Sequence, residues 1–203
     1  MASKSKSTRR SKKESPNGTE VLVTELQEIH NAETQLSRVL PRLAKAVESE
    51  ALREKLEERL AQGEQLIQDV ETCLEGLDES PGRKKNVAAE GLINDAREHV
   101  QEIEAGPALD TVLIGAVQKT EHYCMAAWGT VKALGEALGQ KEIARAMERA
   151  LKEGKRYDEE LTQLAESEVT PALLAEGAED EEEEGSAQAG ARSKRSRAEH
   201  RAS

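Results

Sequence analysis

The chain has 203 residues and a formal net charge of −11, with 34% charged residues and only three aromatics: Tyr123, Trp128 and Tyr157. That composition excludes a domain built from strands, which lean on aromatic and β-branched side chains, and argues against a base-stacking nucleic-acid module. It suits a helical domain with an aliphatic core of Leu, Val, Ile and Ala.

Charge divides the chain into three parts. Residues 1–18 carry a net +5, residues 19–176 a net −14 and residues 177–203 a net −2. The first part is Ser/Lys/Arg-rich with almost nothing to bury, which predicts a disordered basic tail at 1–18. A helical domain is expected over 19–171, and an acidic-then-basic disordered tail over 172–203. No apolar run approaches the roughly 18–20 residues of a membrane helix, and no apolar segment follows the basic start as in a signal peptide. Cys73 and Cys124 are too few for a disulfide framework and lack metal-type spacing. The expected location is cytoplasmic, with reduced thiols.

Apolar periodicity predicts a first helix over about 20–48, with Thr19 as a candidate N-cap. Its seam is Leu22, Leu26, Ile29, Glu33, Leu36, Leu40, Leu43 and Val47, so one member is a carboxylate. Pro41 falls inside the pattern, where it should kink the helix. A second helix is expected over about 49–77, with its stripe on Leu52, Leu56, Leu60, Gly63, Ile67, Val70, Leu74 and Leu77. A Ser-Pro-Gly loop follows, then a shorter third helix over about 84–104, ended by Ala-Gly-Pro at 105–107. The fourth helix, about 108–138, is apolar nearly all round and should be central. Gly139 is its natural stop. The fifth helix, about 140–168, presents Ile143, Met147, Ala150, Gly154, Leu161 and Ala165, and Pro171 should close the domain. Short connections between five helices predict an all-α up-down bundle of four long helices plus one shorter inserted helix.

Most of the 40 acids belong to solvated faces. Three do not. Glu33 interrupts a Leu/Ile seam, and Glu121 is flanked on its face by Val117, Cys124 and Trp128. Asp158 lies about 40° from the centre of the fifth helix's apolar arc. A buried carboxylate costs several kcal/mol unless paired, protonated or metal-bound. Such a residue is most often a snorkelling side chain or the partner of a buried Arg or Lys. Three of them on three helices also fit a carboxylate metal site, whose hard oxygens suit Fe, Mn or Mg. Glu58, about 135° from its helix's stripe, and Glu90 read as exposed from periodicity alone. His122 points away from the main apolar arc of its helix, which favours a neighbouring carboxylate or a backbone partner over a metal.

Several segments occur in an order that resembles a known family: AETQLSRVLPRLAKA (32–46), KLEER (55–59), AAEGLI (88–93), QKTEHY (118–123) with WGT at 128–130, and the LKE…D run at 151–158. Together they resemble the YciE/YciF family of ferritin-like, stress-associated bacterial proteins, across about residues 20–167. The resemblance implies a ferritin-like bundle, a homodimer and a two-metal centre holding Fe or Mn. It would place Glu33, Glu58, Glu121 and Asp158 at ligand positions, with Glu90 and His122 as weaker candidates. Two positions depart from the family pattern. Lys55 stands where the family has His in H-L-E-E-T, and Gly154 where it has the second Glu of E-E-x-x-x-D.

Three functional readings follow. One is a di-metal protein handling iron or peroxide in a stress response. Another is a non-catalytic helical stress protein whose centre is partial or lost, with Lys55 replacing the cation. The third is weak, non-specific nucleic-acid contact through the basic stretches at 4–13 and 192–197, which the acidic domain opposes.

Overall fold

The computed structural model describes residues 15–178. The basic stretches at 4–13 and 192–197, and with them most of both expected tails, lie outside the described residues.

Five α-helices run in order: α1 (Gly18–Ala46), α2 (Glu50–Glu75), α3 (Val87–Glu102), α4 (Pro107–Ala137) and α5 (Lys141–Leu164). Among the described residues there is no strand. The fold class is the all-α bundle read from the sequence, with four long helices and a shorter α3. The start of α1 differs by two residues. Asn17, not Thr19, is the N-cap, because its side chain accepts from the amides of Thr19 and Glu20 while Glu20 reaches back to the Asn17 amide. That reciprocal pair satisfies donors the first turn would otherwise leave open. Ser49 and Asn86 cap α2 and α3 by accepting from the amides of Leu52 and Ala89. Pro41 lies inside α1, which continues past it to Ala46.

The C-terminal end departs from expectation. Helical backbone does not stop at Pro171. It passes through a π-turn, Ala165–Val169, and continues to 178. The amide of Thr170 bonds to the carbonyl of Ala165, five residues back. Widening the ladder there relieves the clash that a proline ring makes with the preceding turn.

Helices α1, α2, α5 and α4 form a ring in which each packs on the next, and α3 covers α1 and α4. Thus α2 and α4 face each other across the bundle. Leu26, Leu52, Leu56, Leu113, Met147 and Leu161 are fully buried in the aliphatic core. Asp110 is buried at one end, where its carboxylate accepts from the amides of Glu48 and Ser49 in the α1–α2 connection. No helix among the described residues is long and apolar enough to cross a membrane.

Candidate functional site: a buried guanidinium between two carboxylates

The two seam acids read from the sequence are both buried, with Glu33 0% and Glu121 2% exposed. What stands between them is an arginine. Arg59 of α2, 3% exposed, donates from Nε to Glu121 Oε2 at 2.7 Å. Its Nη2 donates to both oxygens of Glu33, at 3.1 and 3.0 Å. One planar fork thereby ties α2 to α1 and to α4 across the bundle, the geometry for which guanidinium is suited. The Arg59 head also lies 5.8 Å from the centroid of the Trp128 ring.

The electrostatics follow from this packing. Burial raises the Glu33 pKa, and Glu121 adds to the rise, while Arg59 opposes both. Burial acts to lower the Arg59 pKa, but Glu33 and Glu121 outweigh it and hold the guanidinium charged. Cys124 is pushed well up by burial and by Glu33.

Two glycines make room for the triad. A Cβ at Gly63 would lie 3.0 Å from Arg59 Nη1 and 3.2 Å from Glu33 Oε2. A Cβ at Gly154 would lie 2.7 Å from both Glu121 Oε1 and Trp128 Cζ3, closer than real Cβ contacts come. Glu121 and Trp128 therefore fill the space that a side chain at position 154 would need.

The other sequence candidates lie elsewhere. Glu58 is at the periphery, accepting from Lys55 at 2.9 Å and Arg156 at 2.7 Å. Lys55 also pairs with Glu160 at 2.7 Å, so it is a bundle-edge cation and not the central one. Asp158 accepts from Gln118 at 3.1 Å and lies 3.3 Å from His122 Nε2. Glu90 pairs with Lys85. Among the described residues no group of three or more His, Cys, Asp or Glu side chains is arranged to hold a metal ion. A two-metal centre needs oxygens from several helices converging on one space. Here a guanidinium takes the space between Glu33 and Glu121, and Glu58 and Asp158 are bonded to other groups. The residues present do not fit a two-metal centre.

Arg59 is the residue that sequence reasoning missed, and its signal was present. The buried positions of α2 are Leu52, Leu56, Arg59, Gly63, Leu66, Val70 and Leu74. Strict steps of four and three from Leu52 land on Arg59 and Leu66, whereas choosing the most apolar residue at each turn lands on Leu60 and Ile67.

Comparison with known proteins agrees with this architecture. Residues 17–174 match the family model described as a domain of unknown function, DUF892. The chain belongs to the DUF892 family. It is 35% identical to protein YciF of Escherichia coli (strain K12) over 147 residues, which is 72% of this chain and 89% of the relative. It is similar to the crystal structure of the E. coli stress protein YciF, with a TM-score of 0.73 and 34% identity over 76% of this chain and 98% of that one. It is also similar to YcfI from Rhodopseudomonas palustris, with a TM-score of 0.69 and 28% identity over 72% of this chain and 94% of that one. The DUF892 chain described here is thus a helical relative of a stress protein.

Proposed function

We propose that this DUF892 chain is a non-catalytic, metal-independent helical stress protein, whose bundle centre is organised by a built-in guanidinium. The observation that carries this reading is Arg59 between Glu33 and Glu121. Two buried carboxylates demand positive charge. A metal pair would meet that demand and would also supply redox chemistry. A guanidinium meets it permanently, cannot change oxidation state and stays charged at any physiological pH. The likeness to a stress protein supports the stress role, and the free thiols Cys73 and Cys124 accord with a reducing cytoplasm. A homodimer remains the assembly that the family resemblance suggests.

The competing reading is an Fe or Mn centre for iron or peroxide handling. Aerobic purification of the full chain with added Fe(II), followed by metal analysis, separates the two. The expected content is below about a tenth of a metal ion per chain, because binding would have to displace a paired guanidinium. One or more metal ions per chain, lost on Glu33→Gln, would establish the competing reading.

A further inference from the structure

Two carboxylates share one guanidinium, and Glu121 spends only Oε2 on it. Its other oxygen, Oε1, is buried and has no hydrogen-bond partner among the described residues. Beside it, between α2, α4 and α5, is a cavity of about 60 Å³ lined by Glu121, Trp128 and Gly154 within and by Gln62, Asp69 and Glu153 toward solvent. Gly154 brings only backbone to this wall, and a side chain there would meet Glu121 Oε1.

The lining holds unpartnered groups of both kinds, Glu121 Oε1 an acceptor and Trp128 Nε1 a donor. Gln62 uses its amide nitrogen on Glu58 at 3.0 Å, and Gln65 uses its own on Asp69 at 3.0 Å. Each keeps its carbonyl oxygen and a second amide N–H for a ligand. The two guanidiniums on the lining are each engaged with carboxylates, Arg59 as described and Arg149 with Asp69 at 3.0 Å. With Glu33 counted behind Arg59, four carboxylates face two guanidiniums. A guest for Glu121 Oε1 would be small and would donate hydrogen bonds, and the carboxylates around it favour one that is positively charged. The volume suffices for a few water-sized groups, at about 10–15 Å³ each.

We propose that the cavity beside Glu121 Oε1 is a binding site for a small primary ammonium ligand. The ammonium donates to Glu121 Oε1 and to the Gln62 and Gln65 carbonyls. This rests on the reading of the centre as guanidinium-filled, because metal ions held by Glu33 and Glu121 would displace Arg59. A two-heavy-atom ligand is limited to an affinity no tighter than about 6 mM.

Trp128 is the sole tryptophan of the chain and lines the cavity, so its fluorescence reports on this site. The test is a titration of chelator-treated full chain with methylammonium chloride, against tetramethylammonium chloride at matched ionic strength. The expected result is a saturable change with methylammonium and none with tetramethylammonium, which has no N–H and is too bulky. Gln62→Leu, at the half-buried wall, is expected to weaken the half-saturation point about fivefold by removing one acceptor. Glu121→Gln should abolish saturation. Identical responses to the two cations would overturn the proposal, as would unchanged saturation in Gln62→Leu. A saturable response to Mn(II) in place of methylammonium would overturn both this site and the metal-independent reading. No response to either cation would remove this site alone.

Discussion

Arg59 Nε and Glu121 Oε2 lie 2.7 Å apart in the bundle interior, joining helices that face each other diagonally. This contact and its counterpart to Glu33 hold the centre of the domain together. Removing one member leaves an uncompensated buried charge. Arg59→Met is therefore expected to cost about 3–5 kcal/mol in urea unfolding. Replacing all three members with apolar residues, as Glu33→Leu, Arg59→Met and Glu121→Leu together, should cost far less than Arg59→Met alone, because no charge is then stranded. A triple variant as unstable as the single one would mean the triad is not the unit.

Lys55 behaves differently because it sits at the bundle edge. Its hydrogen bond lowers the Glu160 pKa below the ordinary 4.5, and Glu160 and Glu58 raise the Lys55 pKa above 10.5. The Glu160 contribution is present above pH 4.5 and is lost as pH falls through its lowered value. The Lys55 contribution is present below pH 10.5 and is lost as pH rises through its raised value. Both groups are partly exposed, so Lys55→Met should cost below about 1 kcal/mol at neutral pH. Its stability should converge on that of the wild type at the acid end.

The glycines divide by what surrounds them. Gly154→Ala forces a methyl against Glu121 and Trp128, and should destabilise by about 1–3 kcal/mol despite the better helix propensity of alanine. Gly91, Gly115 and Gly129 have nothing within 4 Å of a Cβ, so alanine there should stabilise by about 0.5–1 kcal/mol. Thermal melts of the four variants give the comparison, and equal shifts of one sign would contradict the packing described.

The thiols provide an independent probe of the centre. Cys124 is 2% exposed and its pKa is held well up by burial and Glu33, whereas Cys73 is half-buried. Native-state alkylation should modify Cys73 at least about 100-fold faster than Cys124. Arg59→Met should narrow that ratio by opening the core. Comparable rates in the wild type would place Cys124 outside a closed core.

Glu33 could be found from sequence because it breaks a seam whose other members are all aliphatic. Glu121 could be found because its helix has so few charges. The partner could not be named on the same criterion. Arginine is rarely buried, and Leu60 next to it offered a more apolar choice one residue away. Lys55 drew attention through a departure from a family motif, but its ammonium pairs with Glu58 and Glu160 at the edge of the bundle, four residues before Arg59. The role of Gly154 was half legible. Its lack of a carboxylate is written in the sequence, while the occupation of that space by Glu121 and Trp128 depends on how α4 side chains point toward α5.

Arginine-selective 15N NMR reads directly whether the guanidinium of Arg59 is the resident cation of the bundle. A guanidinium held by two buried carboxylates should give one Nε–H resonance with slow solvent exchange, absent in Arg59→Met and unbroadened when Mn(II) is added. A wild-type spectrum with no protected arginine resonance, or a protected one that Mn(II) broadens away at stoichiometric addition, would contradict that role.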